Sequence, residues 1–255
     1  MTRRIVIISD TQIPYDHRKA VKAVIRYIGE TQPDSVVHIG DLMDFPQPSR
    51  WNKGTAGEFE GSVLEDCEQA KRRFLGPLRQ VYSGPIGVHE GNHDLRPREY
   101  LSKYAPALAE SGAFDLPELL DFNGFGVQLL PAFHHIAPGW ISTHGHLGGI
   151  RLSQDAGKTA ANAARKFGRS VVMGHTHRQG IQPASTGFDG RVDQTYVGFE
   201  VGHLMDTKQA GYLKGAAPNW QLGFGILTVD GNHVRPEHIP IEGNKFTVDG
   251  RVWQV

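Results

Sequence analysis

The sequence contains a single cysteine and lacks any long apolar run. Cys67 has no partner within the chain, which excludes the disulfide framework typical of small secreted domains and favours a reducing compartment. The opening MTRRIVIISD offers only four consecutive apolar residues before Ser9, far fewer than the core of a signal peptide, and no later stretch reaches membrane-spanning length. We therefore predict a cytoplasmic protein that does not engage a membrane.

The sequence also lacks net charge, because its 27 lysines and arginines equal its 27 aspartates and glutamates. No global field would draw the protein onto a polyanion, and no basic arm or basic run interleaved with aromatics is present. Nucleic acid is therefore not favoured as a partner. Internal repeats, low-complexity tracts and long linkers are absent as well, so residues 1–255 are expected to form a single domain.

Strands and helices alternate through most of the chain, which indicates an α/β fold. Short buried strands are predicted at residues 4–9, 35–39, 86–89, 126–130, 140–143 and 170–173. Helices are predicted around residues 21–28, 59–78 and 153–167, with a helical region at 97–122 that is broken at Pro106 and Pro117. The last third favours antiparallel hairpins at its Asp-Gly pairs, and we expect these terminal strands to complete a second sheet facing the first.

Polar residues follow directly after the predicted strands. Because the carboxyl ends of parallel strands lie at one edge of a sheet, these segments are expected to meet in one crevice. Together they offer nitrogen and oxygen ligands without a thiolate, a set that suits Mn²⁺, Mg²⁺, Fe or Zn²⁺, and they are too many for one ion. The segments are Asp10 with Gln12, GDLMD at 40–44, GNHD at 91–94, THGH at 143–146 and GHTH at 174–177.

In this order the segments resemble the calcineurin-like metallophosphoesterase superfamily and its pattern D-x-H, GDxxD, GNH[DE], H, GHxH. The match runs from Asp10 to His177, about two thirds of the chain. The resemblance implies a four-layer αββα sandwich, in which two mixed β-sheets are flanked by helices. It also implies a phosphoric ester hydrolase that uses two divalent metal ions.

The same resemblance assigns roles to individual residues. One ion would be held by Asp10, Gln12, Asp41 and His177, and the other by Asp41, Asn92, His144 and His175, so that Asp41 bridges them. His93 would stay off the metals and protonate the leaving group, while Asp94 would orient its ring or accept a hydrogen bond behind it. Two such cations can clamp a phosphate and lower the pKa of a shared water to give a hydroxide nucleophile.

Gln12 departs from the family pattern, which places histidine there. Its amide oxygen is a neutral hard donor that suits Mn²⁺ or Mg²⁺ better than Zn²⁺, so we predict a labile first metal, with Mn²⁺ preferred. The alternative is that Gln12 faces water or a backbone group, which would leave the first metal one protein ligand short.

The roles of several other polar and aromatic residues can be interpreted in more than one way. Asp44 is expected to hold the loop that presents Asp41, and His146 is expected on the substrate side or behind the ligands. Arg96 could bind an anionic substrate, although a solvated arginine at a helix start is equally compatible with its position. Trp51 and Trp220 lie in loops where an aromatic ring could stack on a base, but packing of the loop is favoured.

The sequence favours a phosphodiesterase that acts on nucleotide-like or cyclic diesters. GDLMDFP and GNHDLR depart from the GDYVDRG and GNHE signatures of the protein serine/threonine phosphatase branch, which disfavours a phosphoprotein substrate. The alternatives are a small-molecule phosphomonoesterase, then a nuclease, and, from another class, a scaffold that kept the fold and lost the chemistry.

Overall fold

A computed structural model describes residues 2–210 and 217–255. The strands are β1 Arg3–Ile8, β2 Ser35–His38, β3 Ile86–Val88, β4 Val127–Leu129, β5 His134–Ala137, β6 Trp140–Thr143, β7 Ser170–Met173, β8 Gln179–Phe188, β9 Arg191–Val201, β10 Gly223–Asp230, β11 His233–Pro240, β12 Lys245–Val248 and β13 Arg251–Gln254. The helices are α1 Arg18–Thr31, α2 Val63–Ala70, α3 Gly76–Val81, α4 Arg96–Tyr104, α5 Pro106–Ala109, α6 Leu116–Leu119, α7 Phe122–Phe125 and α8 Lys158–Phe167.

The first sheet has six strands in the order β11-β10-β1-β2-β3-β4. Strands β1 to β4 are parallel to one another, and β10 pairs antiparallel with the free edge of β1. The expectation that the terminal strands complete a facing second sheet is therefore wrong for β10 and β11. The physical reason is that β10 is buried along most of its length, as a strand in the middle of a sheet must be.

The second sheet has five strands in the order β5-β6-β7-β9-β8, and β12 and β13 form a separate hairpin. Strands β5 and β8 were not predicted, because both are edge strands with many exposed residues and weak apolar alternation. The predicted Asp-Gly hairpins are confirmed at Asp230-Gly231, between β10 and β11, and at Asp249-Gly250, between β12 and β13.

The two sheets pack face to face with helices outside them. Apolar side chains of β1, β2 and β10 meet those of β6, β7 and β9, with Ile7, Val172 and Phe199 fully buried between the sheets. Helix α1 and the region α2–α3 cover the outer face of the first sheet, and α8 covers the outer face of the second. The four-layer αββα sandwich of two mixed sheets is confirmed.

The predicted helix at 59–78 is interrupted rather than continuous. It begins at Val63, and its middle, Lys71–Leu75, is wound with i→i+5 hydrogen bonds before α3. Pro77 in the first turn of α3 lacks an N–H, so the regular hydrogen-bond ladder cannot run through this point. Phe59 lies before the helix and is 80% exposed.

The predicted helix at 153–167 begins later, at Lys158. Gly157, immediately before it, has φ +79°, which is a left-handed conformation. The helix therefore does not extend toward the N-terminus beyond Lys158. Ser153, where the predicted helix would start, lies outside it, and its backbone N–H donates to Thr159 Oγ1 at 3.0 Å. Within the described residues, no helix has both the length and the apolar character needed to cross a membrane.

Candidate metal centre

The polar segments singled out in the sequence come together where strands of both sheets end. Asp10, Gln12, Asp41 and Asn92 follow β1, β2 and β3 of the first sheet, whereas His144, His175 and His177 follow β6 and β7 of the second. These strands run parallel within their sheets, so their carboxyl ends deliver the seven side chains to the junction between the sheets.

Asp41, His144 and His175 form the tightest part of the cluster. Each offers one ligand atom, and these three atoms lie within 4.8 Å of one another. His144 Nδ1 donates to the Ile39 carbonyl at 2.8 Å, which turns Nε2 toward Asp41 Oδ2 at 3.3 Å and Asn92 Oδ1 at 3.1 Å. A histidine held through Nδ1 in this way presents Nε2 as a metal ligand.

The charges in this part of the cluster favour a cation. Burial works to lower the pKa of His144, but the adjacent Asp41 carboxylate outweighs it and raises that pKa to about 9. Asp41 itself has its pKa held well below the ordinary value by His144, against the effect of burial. The buried Asp41 carboxylate is therefore stabilised by positive charge beside it, which either a proton or a metal ion can supply.

Asp10, Gln12 and His177 form the other part. His177 Nε2 lies 3.2 Å from Asp10 Oδ1 and 3.0 Å from Gln12 Nε2. Asp10 Oδ1 and Gln12 Oε1 are both buried without a hydrogen-bond partner among the described residues. Burial alone would raise the pKa of Asp10, but His177 holds it below the ordinary value.

The backbone at the centre is in an uncommon conformation. Eleven described residues other than glycine have positive φ, and five of them are ligand positions: Asp10, Gln12, Asp41, His175 and His177, with φ between 49° and 68°. Such a conformation costs on the order of 1–3 kcal/mol per residue and persists where the surrounding structure holds it. The backbone conformation at the strand ends thus directs these side chains toward the cluster.

Two motif glycines are required by close packing. A Cβ at Gly91 would lie 2.2 Å from Asp41 Oδ1, and a Cβ at Gly174 would meet the Ser9 hydroxyl and lie 2.7 Å from Asp10 Oδ2. Any side chain at either position would displace the carboxylate of a predicted metal ligand.

The donor groups of the cluster suit a divalent metal ion. The donors are carboxylate, amide and imidazole groups without a thiolate, two buried oxygens lack partners, and three ligand atoms already converge. Asp10, Gln12, Asp41 and His177 could hold one ion, and Asp41, Asn92, His144 and His175 the other.

His93 sits beside the cluster, and its ring is held by Asp44. His93 Nδ1 lies 2.8 Å from Asp44 Oδ1, whereas Nε2 is 3.8 Å from Asp41 Oδ2 and 3.2 Å from Arg96 Nη2. Burial opposes protonation of this ring, but Asp41 and Asp44 together raise its pKa above the ordinary value. Asp44, which the sequence assigned to the loop, is therefore the residue that orients the ring.

The contacts of Asp94 are not those of a residue that orients the His93 ring. Its carboxylate accepts hydrogen bonds from the backbone N–H groups of Met43 and Gly91, both at 2.8 Å. Burial and the nearby Asp41 raise its pKa to about 7. Asp94 ties the GDLMD loop to the GNHD loop, so of the two roles considered for it, that of an acceptor behind the ligands fits its contacts.

His146 lies behind the ligand histidines, with its ring 5.3 Å from that of His144 and 6.4 Å from that of His175. Both of its ring nitrogens are buried without a hydrogen-bond partner among the described residues. Burial and the neighbouring His144 lower its pKa to about 4. His146 is also absent from the lining of the open cleft beside these histidines.

Sequence reasoning did not single out Glu200, which supports the GHTH loop. It is fully buried on β9 and accepts hydrogen bonds from Thr176 Oγ1 at 2.8 Å and from the Ala160 backbone at 3.2 Å. Thr176 lies between the two ligand histidines of that loop. A single glutamate in a strand carries no motif, although a charged residue in the apolar run of β9 is the signal that could have found it.

Part of the cluster lines an open cleft of about 880 Å³, which we call the metal cleft. Gln12, Asp41, His93, Arg96 and His175 line it on one side, and Trp220 lines it above His177, with ring centroids 4.3 Å apart. A volume of this size accommodates a small organic phosphate.

A comparison with known protein families identifies the family of this chain. The model of the calcineurin-like phosphoesterase family matches residues 3–179, which include every ligand position described above. The chain belongs to this family. Membership supports a hydrolase of phosphate esters in general and a site for divalent metal.

Individual relatives add little about activity. The chain is 62% identical to the Gene 54 protein of Mycobacterium phage L5 and 61% identical to that of Mycobacterium phage D29, in each case over the whole of both chains. Among solved structures, Vacuolar Protein Sorting 29 of Cryptosporidium parvum matches with a TM-score of 0.46 and 14% identity, covering 98% of this chain and 94% of its own.

Proposed function

We propose that the protein is a phosphodiesterase that uses two divalent metal ions and acts on nucleotide-like or cyclic diesters. The observation that carries this proposal is the pairing of the seven-residue ligand cluster with an imidazole that is held outside it by Asp44. A protein that only bound metal would not need this second feature, because His93 contributes nothing to the ligand set.

When bound, the two ions would supply positive charge to the phosphate oxygens and lower the pKa of a water molecule. The chain's own residues do the remaining work. His93 Nε2 faces the cleft and can deliver a proton to an alkoxide leaving group, which a diester of an alcohol requires. Asp44 fixes the ring and favours its protonated form.

Arg96 contributes a second function at the same place. Its guanidinium contacts both His93 Nε2, at 3.2 Å, and Asp44 Oδ2, at 3.3 Å, so it occupies the position that an anionic substrate would take. We propose that Arg96 turns onto a substrate phosphate oxygen, which frees Nε2 for proton transfer.

We further propose that Mn²⁺ is the preferred metal and that Gln12 ligates it through Oε1. The amide oxygen is buried without a partner, and the amide lies within 3.0 Å of the ligand His177. A Gln12→His variant is expected to bind the first ion more tightly and to shift preference toward Zn²⁺. Titration of metal-free protein with each metal, followed by calorimetry, measures both effects; unchanged affinity and preference would contradict the assignment.

The decisive experiment is hydrolysis of bis(p-nitrophenyl) phosphate beside p-nitrophenyl phosphate, with Mn²⁺ added and with metal removed. We expect metal-dependent turnover of the diester above that of the monoester. His93→Ala is expected to lower diester turnover by about 10²–10⁴-fold at unchanged metal content. Preference for the monoester would identify a phosphomonoesterase, and absence of turnover with metal bound would identify a scaffold.

A further inference from the structure

A second depression, of about 430 Å³, opens directly beside the metal cleft. Ser49, Trp51, His93 and Arg96 line both depressions, so the two are continuous. We call the second one the aromatic groove, and its distinctive walls are Arg50, Trp51 and Lys53 on one side and Tyr100, Lys103 and Tyr104 of α4 on the other.

The aromatic groove carries positive charge although the whole chain is neutral. Four of its lining side chains are cations, namely Arg50, Lys53, Arg96 and Lys103, and only Glu99 is a carboxylate. Two of these cations are already paired: Lys53 with Glu58 at 2.6 Å, and Arg96 with Asp44 at 3.3 Å. Among the described residues, no carboxylate lies within ion-pairing distance of Arg50 or Lys103, so both charges remain available to an anion.

Two aromatic rings of the groove are exposed, although the Tyr104 ring also packs on that of Tyr100, with centroids 4.8 Å apart. Trp51 is 74% exposed and Tyr104 is 45% exposed, both unusual for large rings that serve only to pack a loop. The Arg50 guanidinium lies 4.7 Å from the Trp51 ring and Lys103 Nζ lies 5.2 Å from the Tyr104 ring. Each ring is thus paired with a cation, which places a stacking face next to a site for a phosphate.

We propose that the aromatic groove binds a single-stranded polynucleotide and leads it to the metal centre, which makes such a strand the substrate. This inference rests on the proposed phosphodiesterase function. Exposed rings that stack on bases, set among cations that follow the backbone, are the features by which proteins hold single strands. A duplex hides its base faces, so it offers nothing to Trp51 or Tyr104.

No motif marks the groove as a whole in the sequence, because the groove is assembled from two separate segments. Arg50, Trp51 and Lys53 come from the loop after β2, and Tyr100, Lys103 and Tyr104 come from one face of α4. Neither segment alone is a basic run interleaved with aromatics. The absence of such a run therefore does not argue against a polynucleotide substrate once the fold brings the segments together.

Binding is tested first, with fluorescence anisotropy of a labelled oligo-dT of about 12 nucleotides, a length within the usual site sizes for single strands. The protein is the full chain carrying His93→Ala, so that the strand stays intact. We expect Trp51→Ala to weaken binding about tenfold. Lys103→Ala should flatten the slope of log affinity against log salt by about 0.7, the contribution of one phosphate contact.

Matched controls change the same residue types elsewhere on the surface. Phe188→Ala removes an exposed aromatic side chain at the tip of the β8–β9 hairpin, and Lys22→Ala removes an exposed cation of α1. Both controls should bind as the parent does. Equal weakening in controls and groove variants, or equally good competition by a polyglutamate peptide, would overturn the inference, because recognition would then not involve base stacking in this groove.

Cleavage is tested next, with the active protein, Mn²⁺ and oligo-dT, oligo-U and duplex DNA. We expect single strands to be cut faster than the duplex, and the two single-stranded arms show whether DNA or RNA is preferred. Tyr104→Ala changes a ring that lines the aromatic groove but not the metal cleft, so it should lower oligonucleotide cleavage at least about tenfold more than hydrolysis of bis(p-nitrophenyl) phosphate. This ratio separates the groove from the metal centre.

The outcomes distinguish the two proposals. Hydrolysis of bis(p-nitrophenyl) phosphate without binding or cleavage of any oligonucleotide would overturn the polynucleotide substrate and leave the phosphodiesterase standing. Groove-dependent binding of the oligonucleotide without hydrolysis of any ester would overturn the phosphodiesterase, and with it the strand as a substrate, leaving only the binding site supported.

Discussion

The metal cleft and the aromatic groove share four residues, but they are built in opposite ways. The predicted ligands of the metal centre are fixed at strand ends, where Asp41 and His144 are each 1% exposed and five positions have left-handed backbone. The groove is formed by a loop and one helix face, and its tryptophan is 74% exposed. Chemistry at a fixed distance requires the first kind of construction, whereas recognition of a flexible strand tolerates the second.

The largest effect is expected from Asp41→Asn, which keeps the shape of the bridging ligand and removes its charge. Loss of several kcal/mol of interaction with the ions corresponds to a fall in diester turnover of at least about 10³-fold. Metal content, measured by elemental analysis, should fall with it. Asp189→Asn, at an exposed hairpin tip, should change neither quantity. An Asp41→Asn protein that retained both metals would break the contrast between a charge-dependent cleft and a tolerant groove.

A smaller effect is expected from Glu200→Gln, which weakens support of the GHTH loop. The carboxylate holds both Thr176 and the start of α8, so its replacement should lower metal affinity by about 10–100-fold, the usual effect of altering a partner of a ligand. Thr176→Val removes the same hydrogen bond from the other side. If Glu200 acts through Thr176, the double variant should be no worse than the more affected single variant; additive losses would assign Glu200 a purely structural role.

The interior between the sheets provides a test by pH. His89 is buried and contacts Ser142 Oγ at 2.8 Å, and burial together with the neighbouring His134 lowers its pKa to about 3. In the unfolded chain its pKa is about 6.5, so below that pH the unfolded state binds a proton that the folded state does not. Stability is therefore lost as pH falls from 6.5 toward 3, by about 2 kcal/mol at pH 5.

The measurement is urea unfolding at pH 7 and pH 5. In His89→Gln the difference in unfolding free energy between the two pH values should shrink by about 2 kcal/mol, whatever the stability at pH 7. The exposed His135→Gln serves as the control. An unchanged difference in His89→Gln would mean that this ring is not kept neutral by burial.

The smallest effect is expected from Lys53→Met in the aromatic groove. Lys53 pairs with Glu58 and lies over the Tyr100 and Tyr104 rings, at 4.7 and 4.1 Å, but exposed ion pairs contribute little to stability. The urea midpoint and the metal content should both stay within error of the parent. A clear loss of metal would show that the structure of the cleft depends on the groove, so that the two regions are not built independently.

The same comparison explains what could be predicted from the sequence. Ligands of the metal cleft follow strands directly, so their order and spacing in the chain survive folding, and Asp10 to His177 could be identified as a set. The role of Asp44 could not, because its contact with His93 spans 49 residues and depends on how two loops meet. Trp51 and Tyr104 likewise come together only in space. The return of β10 to β1 was missed because an apolar strand carries no mark of the sheet it joins.

The return of β10 to the first sheet also bears on the order in which the protein can mature during synthesis. All seven ligand positions lie between residues 10 and 177, yet one side of β1 is covered only when residues 223–230 arrive. The strand that carries Asp10 and Gln12 therefore leaves the ribosome long before its antiparallel neighbour exists. A nascent chain can present the predicted ligands well before it can hold them in place, so we expect the site to become rigid only after residues 223–230 have been synthesised.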